Sequence, residues 1–386
     1  MTTESGAGLR VERPTGIGMH VTIRDVARLA GVSVATVSRV LNASAPVREA
    51  TRDRVLEVAR DLRFSPNGAA RSLSRQRAGA LGVILPDIYG EFFSELLRGI
   101  DQEAQRANHS LLVSSSHHDS RGIGAAVRAM RGRVDGLMVM APDVSAPMLA
   151  DVLPRGVPTV LLNGPAVAGD AFALTVDNYG GAIAMIRHLV AIGHVRIGFI
   201  AGAERNHDAS ERQRGYRDGL RNAGLPYDAA LDVRGDFTEA GGWRGTRELI
   251  AVASPPSAIF AANDAMAVGA LSALREAGIT VPAGIAVVGF DDIPVARFLN
   301  PPLTSVRVGI ATFGERAAAL LLAALAERSP PGGTPRRDVL PAVVIVRDSC
   351  GARVDAPSHR TPRSGHPERS RLDRSSWSST PGGMRI

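Results

Sequence analysis

Residues 20–42, HVTIRDVARLAGVSVATVSRVLN, decide how the rest of the chain is read. Thr22 stands one residue ahead of a helical apolar pattern of Ile23, Val26, Ala27 and Ala30. Asp25, three residues on, closes a capping box over the free amides of the first turn. Gly31 then tolerates the positive φ of a tight turn, Val32 plugs the space between two helices, and Ser33 caps a second helix from Val34 to about Leu41. On that helix Val37, Val40 and Leu41 face inward. The outward face carries Val34, Ala35, Thr36, Ser38 and Arg39, small or hydrogen-bonding groups followed by a guanidinium, as reading base edges in the major groove of DNA requires. The same spacing fits an ordinary helical hairpin in an enzyme, and spacing alone leaves that alternative open.

Charge separates this end from the body. The 386 residues carry a formal net charge of +7, yet residues 1–78 hold 13 Arg against 7 acids and residues 351–386 hold 7 Arg against 3. The body between them is mildly acidic, so the basic character is confined to the two ends. Every cation is an arginine. A single cysteine, Cys350, excludes an internal disulfide framework and a cysteine-cluster zinc site. No apolar run approaches the roughly 18 residues of a membrane span, and the N-terminus has no apolar signal core, so a cytoplasmic protein is expected. Residues 1–19 read as a disordered leader and 351–386 as a disordered basic tail, either a solvated extension or a source of auxiliary phosphate contacts.

The body alternates short apolar runs with helical patterns. Strands are expected at 80–85, 110–114, 135–140, 158–162, 196–201, 231–235, 257–261 and 284–290, with helices at 92–107, 120–131, 179–192, 209–223, 239–253 and 264–277. That rhythm predicts parallel sheets covered by helices on both faces. Two such sheets in tandem leave a cleft where strand carboxyl ends converge and small ligands bind.

The opening segment resembles the DNA-binding headpiece of the LacI/GalR family of bacterial repressors, whose pattern V-T-[IL]-x-D-V-A-x-x-A-G-V-S-x-x-T-V-S-R-V-[LV]-N is met from Val21 to Asn42. The resemblance implies a DNA-contacting set of Thr22, Ser33, Val34, Ala35, Thr36, Ser38, Arg39 and Asn42 within a helix-turn-helix headpiece at 20–64. Residues 51–62 place Val55, Val58, Ala59 and Leu62 on one face of a third helix, with Arg48 where a Ser cap is expected. Residues 65–78 resemble the family's hinge and linker, with a short helix at 67–74. Arg71 and Leu73 would meet the DNA there, Leu73 as a minor-groove wedge that bends the duplex. Gly68 biases that helix toward disorder away from DNA.

Residues 79–350 resemble the family's effector-binding core, a type I periplasmic-binding-protein-like fold of two doubly wound parallel-sheet subdomains. The resemblance implies an N-subdomain of 79–177 plus 310–334 and a C-subdomain of 178–309 plus 335–350. Its landmarks include VDGLMVM (134–140), VDN (176–178), ERQRGYRDGL (211–220) and VVGFDDIP (287–294). Carried over motif by motif, the effector-binding residues are Phe92, Phe93, Asn163, Arg212, Phe237, Asn263, Asp264 and Asp291. On the residues alone, one of the two phenylalanines reads as core, Arg212 also fits a surface arginine, and Asp291 or Asp292 also fits a loop-capping carboxylate. Purine-responsive relatives carry a tryptophan where this chain has Asn163-Gly164-Pro165, which favours a sugar-class effector over a purine.

An enzyme is the rival class. The run SSSHHDS, residues 114–120, holds Ser, His and Asp but lacks a nucleophile elbow, and no glycine pattern after a strand marks a dinucleotide site. No catalytic residue, cofactor or metal is expected. The expectation is a homodimeric or higher-order regulator, most simply a repressor, that binds a pseudo-palindromic operator under control of a small molecule. An activator or a nucleoside-responsive regulator is the alternative, ahead of a cytoplasmic sugar-binding protein.

Overall fold

The computed structural model describes residues 21–42, 45–64, 78–164, 171–327 and 336–352. The expected leader, tail and hinge, with Arg71 and Leu73, therefore lie outside the described residues. The headpiece is all-α, with α1 (Ile23–Leu29), α2 (Val34–Asn42) and α3 (Glu49–Asp61) around a core of Val26, Ala27, Ala30, Val37, Val55 and Ala59. Gly31 takes φ 62° at the turn, which any Cβ would strain. Arg48 stands at the start of α3 and makes no side-chain cap bond.

The core is two six-stranded sheets. The first contains β1 (Ala80–Leu85), β2 (Ser110–Ser115), β3 (Gly136–Met140), β4 (Thr159–Leu162), β5 (Ala171–Val176) and β11 (Arg336–Leu340), in the order β11-β5-β4-β3-β1-β2 and parallel throughout. The second contains β6 (Ile197–Ile200), β7 (Asp232–Val233), β8 (Ala258–Ala261), β9 (Ala286–Asp291), β10 (Thr304–Arg307) and β12 (Val343–Ile345), in the order β12-β10-β9-β8-β6-β7. Here β12 alone runs antiparallel. Helices α4 (Glu91–Arg106), α5 (Ser120–Met130), α6 (Ala146–Val152) and α11 (Ile310–Glu327) serve the first sheet. Helices α7 (Asn178–Ala191), α8 (His207–Asn222), α9 (Glu239–Ala251) and α10 (Asp264–Glu276) serve the second. The central strands β1, β3, β4, β8 and β9 are buried along their whole length, as sheets covered on both faces must be.

Six elements were not singled out by the apolar pattern: β5, α6, β10, α11, β11 and β12. Strand β10 hides its burial behind Thr304 and Ser305, whose hydroxyls donate to Arg347 O (3.0 Å) and Asp264 Oδ1 (2.6 Å). Helix α11 is apolar nearly all round, so it shows no amphipathic period. It packs against α4 through glycine, for a Cβ on Gly99 would collide with the Ala311 carbonyl and one on Gly314 with that of Leu96. One boundary needs correction. Residues 335–350 were expected together in the C-subdomain, but β11 pairs with β5 in the first sheet, Arg336 opposite Phe172 through Leu340 opposite Val176. As an edge strand with one free side β11 carries Arg, Arg and Asp, so its sequence does not announce a strand. The chain thus crosses between sheets after β5, after β10 and between β11 and β12.

Candidate functional site

On the headpiece, Asp25 accepts the Thr22 amide (3.0 Å) and hydroxyl (2.7 Å), which hold its carboxyl below the usual range. Ser33 caps α2 by accepting the Thr36 amide at 3.2 Å, and its hydroxyl pairs with that of Thr36 at 2.9 Å. Val34 and Ala35 are exposed, Thr36 and Ser38 half-buried, and Arg39 exposed with no ion pair among the described residues. Asn42 donates to Ser38 Oγ at 3.2 Å. The first two turns of α2 therefore present an uncharged patch bounded by one guanidinium.

Between the sheets, the residues that end strands and begin helices converge. Arg212, on the second turn of α8, is buried, and each of its three nitrogens lies against a polar partner. Its Nε donates to Asn178 Oδ1 (2.8 Å), Nη1 to Ala262 O (2.6 Å), and Nη2 lies 3.1 Å from Asp291 Oδ1. Phe290 covers one face of the guanidinium at 3.8 Å, and Phe237 lies 5.9 Å away. Asp291, the last residue of β9, holds φ at 103°, a conformation that few side chains adopt. Its approach to Arg212 is off-line, so Oδ1 has an ion-pair partner but no aligned hydrogen bond. Burial pushes Asp291 up to about 6, with the Arg212 charge pulling the other way. Asn163, after β4, is buried at φ 47° and accepts the Val176 amide at 3.2 Å.

Two further residues belong to this group and were missed. Asp208, on the first turn of α8, is buried and accepts from Asn178 Nδ2 at 2.9 Å. Burial pushes its carboxyl up to about 7, against the pull of Arg212 and a hydrogen bond from Asn163. Asn178 links Asp208 to Arg212, so it orients both. Its signal lay in the VDN landmark, whereas Asp208 falls in the stretch 204–210, whose sequence matches the family loosely although the structure makes its second half the start of α8.

Other expected residues take different places. Asp264 is corrected: it has no exposed surface, and its oxygens accept from Ser305 Oγ (2.6 Å) and the Ile293 amide (2.9 Å), pinning the segment after β9. Asn263, half-buried, caps α10 through the Met266 amide (2.9 Å) and donates to Phe237 O (3.0 Å). Asp292 bridges Arg307 and Arg347, each at 2.6 Å. Phe92 and Phe93 are both half-buried, edge to face at 5.4 Å, so neither is wholly core. In the 114–120 run, Asp119 caps α5 through the Arg121 amide (3.0 Å) and His118 pairs with Asp143 at 2.8 Å, which raises the imidazole pKa. Among the contacts that cross the cleft, the Val295 amide donates to Glu91 (3.0 Å) and the His207 amide to Pro142 O (3.0 Å), besides the Asn163–Asp208 hydrogen bond.

Comparison with known proteins agrees with both halves. Residues 22–67 match the family model for bacterial regulatory proteins of the lacI family, and residues 186–350 match a periplasmic binding protein-like domain. The HTH-type transcriptional regulator GalR of Escherichia coli K12 is 36% identical over 310 residues, covering 80% of this chain and 90% of GalR. The ribose operon repressor of the same strain is 34% identical over 304 residues, covering 78% and 92%. The crystal structure of the Lac repressor dimer bound to operator and the anti-inducer ONPF superposes with a TM-score of 0.77 at 28% identity, covering 86% of this chain and 100% of that one. With the headpiece, the paired sheets and relatives of this identity aligned over most of its length, the chain belongs to the lacI family of bacterial transcriptional regulators.

Proposed function

We propose that the protein is a homodimeric repressor whose grip on a pseudo-palindromic operator is set by a small sugar-class effector in the cleft between the two sheets. The observation that carries this reading is the α2 face: Val34 and Ala35 stand exposed where a thymine methyl would meet them, and Arg39 follows with its guanidinium free of acidic partners among the described residues. Two such faces, one per protomer, read two half-sites related by the dimer's twofold axis. The segment 65–78, with Arg71 and Leu73, joins each headpiece to its core and contacts the central minor groove. The effector acts by differential affinity for the open and closed cleft, since a ligand that binds both states equally shifts nothing. Selection from random duplexes by the full chain should enrich a palindrome, and Arg39→Ala should weaken that duplex by about 1–3 kcal/mol while relaxing one base position. Binding that stays independent of sequence and falls steeply with salt would sink the proposal.

A further inference from the structure

At the second crossing between the sheets, where β10 ends at Arg307 and α11 begins at Ile310, lies a cavity of about 250 Å³, room for roughly eight waters by liquid volume. It stands apart from the cleft group, for its walls include neither Asn163 nor Asp208 nor Arg212. Three guanidiniums line it, those of Arg297, Arg307 and Arg347, against the carboxylates of Glu95 and Asp292. Glu95 is already answered from outside the wall by Arg98, at 3.0 and 2.5 Å. Asp292 accepts from Arg307 Nε on one oxygen and from Arg347 Nη2 on the other, each at 2.6 Å, while Arg347 Nη1 donates to Leu303 O at 2.5 Å. The two Nη groups of Arg307 make no hydrogen bond among the described residues. Arg297, exposed over the Phe298 ring at 4.8 Å, has no carboxylate partner among them either. The rest of the wall includes the first turn of α11, which carries no acid. The amides of Ile310, Ala311 and Thr312 there precede the first intrahelical bond, from Phe313 to Gly309 O at 2.8 Å.

We propose that this cavity binds a phosphate group, at a site separate from the effector cleft, with Arg297 and Arg307 as its ligands and Asp292 as the residue that positions Arg307. Asp292 holds Arg307 by Nε and leaves both Nη groups to a ligand, so the fork is oriented before an anion arrives. The charge of Asp292 is itself offset by the two guanidiniums that grip it, and the anion meets a wall of positive excess. A phosphate suits donors that come from separate segments, because its oxygens form a tetrahedron that two guanidiniums and the α11 amides can share. A carboxylate offers two oxygens in one plane and reaches fewer of them. With Glu95 and α11 belonging to the first sheet and Arg297 and Arg307 to the second, the occupant touches both. Inorganic phosphate and a small phosphate monoester carry the same group, and either fits the volume.

The test is calorimetric titration of the full chain, in phosphate-free buffer at about 0.1 M chloride, with inorganic phosphate, glycerol 3-phosphate and glutarate. At least one of the two phosphates should bind saturably, one per chain, with a submillimolar Kd, and the tighter of them identifies the source of the group. Glutarate should bind at least tenfold more weakly. Arg297→Gln, at an exposed side chain outside every ion pair among the described residues, should weaken the phosphate at least tenfold and leave the thermal midpoint of the ligand-free chain in place. Arg307→Gln should weaken it by at least as much. Absence of saturable heat with both phosphates, glutarate binding as tightly as phosphate, or a Kd that both variants leave unmoved overturns the proposal. Neither substitution touches the headpiece or the Arg212 group, so such a failure leaves the proposed repressor function standing.

Discussion

Asp264 and Asp208 are both buried aspartates at the first turn of a helix, yet one is bolted to its surroundings and the other faces the cleft group. Replacing Asp264 with Ala strands the Ser305 hydroxyl and the Ile293 amide, and should cost about 3 kcal/mol in urea unfolding while leaving operator contacts on the headpiece untouched. The cleft pair behaves differently with pH. Asp208 and Asp291 sit above their unfolded values, so the folded core holds more protons than the unfolded chain near pH 4 to 7. Their contribution to stability is complete below about pH 4 and is lost as pH rises through about 6 to 7. Unfolding free energy of the ligand-free chain, measured from pH 5 to 8, should fall less steeply for Asp208→Asn than for the wild type. Arg212 and Asp291 were legible because each sits in a distinctive motif. Asp264 was misplaced because a strand-end position does not say whether a side chain turns toward the cleft or toward its own backbone.

At the scale of the element, apolar period and caps located helices closely: 92–107 was expected against α4 at Glu91–Arg106, and 179–192 against α7 at Asn178–Ala191. What escaped was structure whose sequence is shaped by a neighbour. Edge strand β11 is charged because one side of it is free, β10 is polar because its hydroxyls are satisfied inside, and α11 lacks a polar face. The α4–α11 contact is equally invisible to periodicity, and it is tight. Gly99→Ala should gain up to about 1 kcal/mol of helix propensity yet lose more to the collision with the Ala311 carbonyl, for a net loss of about 1–2 kcal/mol in urea unfolding. The opposite sign is expected at α3, where Arg48→Ser should supply the missing cap and add about 1 kcal/mol, seen as slower amide exchange in the first turn of α3 in the full chain.

Across the whole molecule, three crossings join the two sheets, and the buried Asp208–Asn178–Arg212–Asp291 group sits where residues of β9, α7 and α8 meet. Contacts across the cleft include Val295 to Glu91 and His207 to Pro142, and the proposed effector control requires a ligand to weigh on contacts of this kind in one state more than in the other. Charge confined to the chain ends and a mildly acidic body fit the proposed division, in which the headpiece meets DNA and the cleft a small molecule. The most direct test measures operator affinity of the full chain by fluorescence anisotropy on the selected palindrome, with and without a sugar that a thermal-shift screen shows to stabilise the chain. The account predicts at least a tenfold change in operator Kd at ligand saturation, abolished by Arg212→Ala with sequence preference intact. An operator Kd that saturating ligand leaves unmoved in the wild-type chain would contradict it.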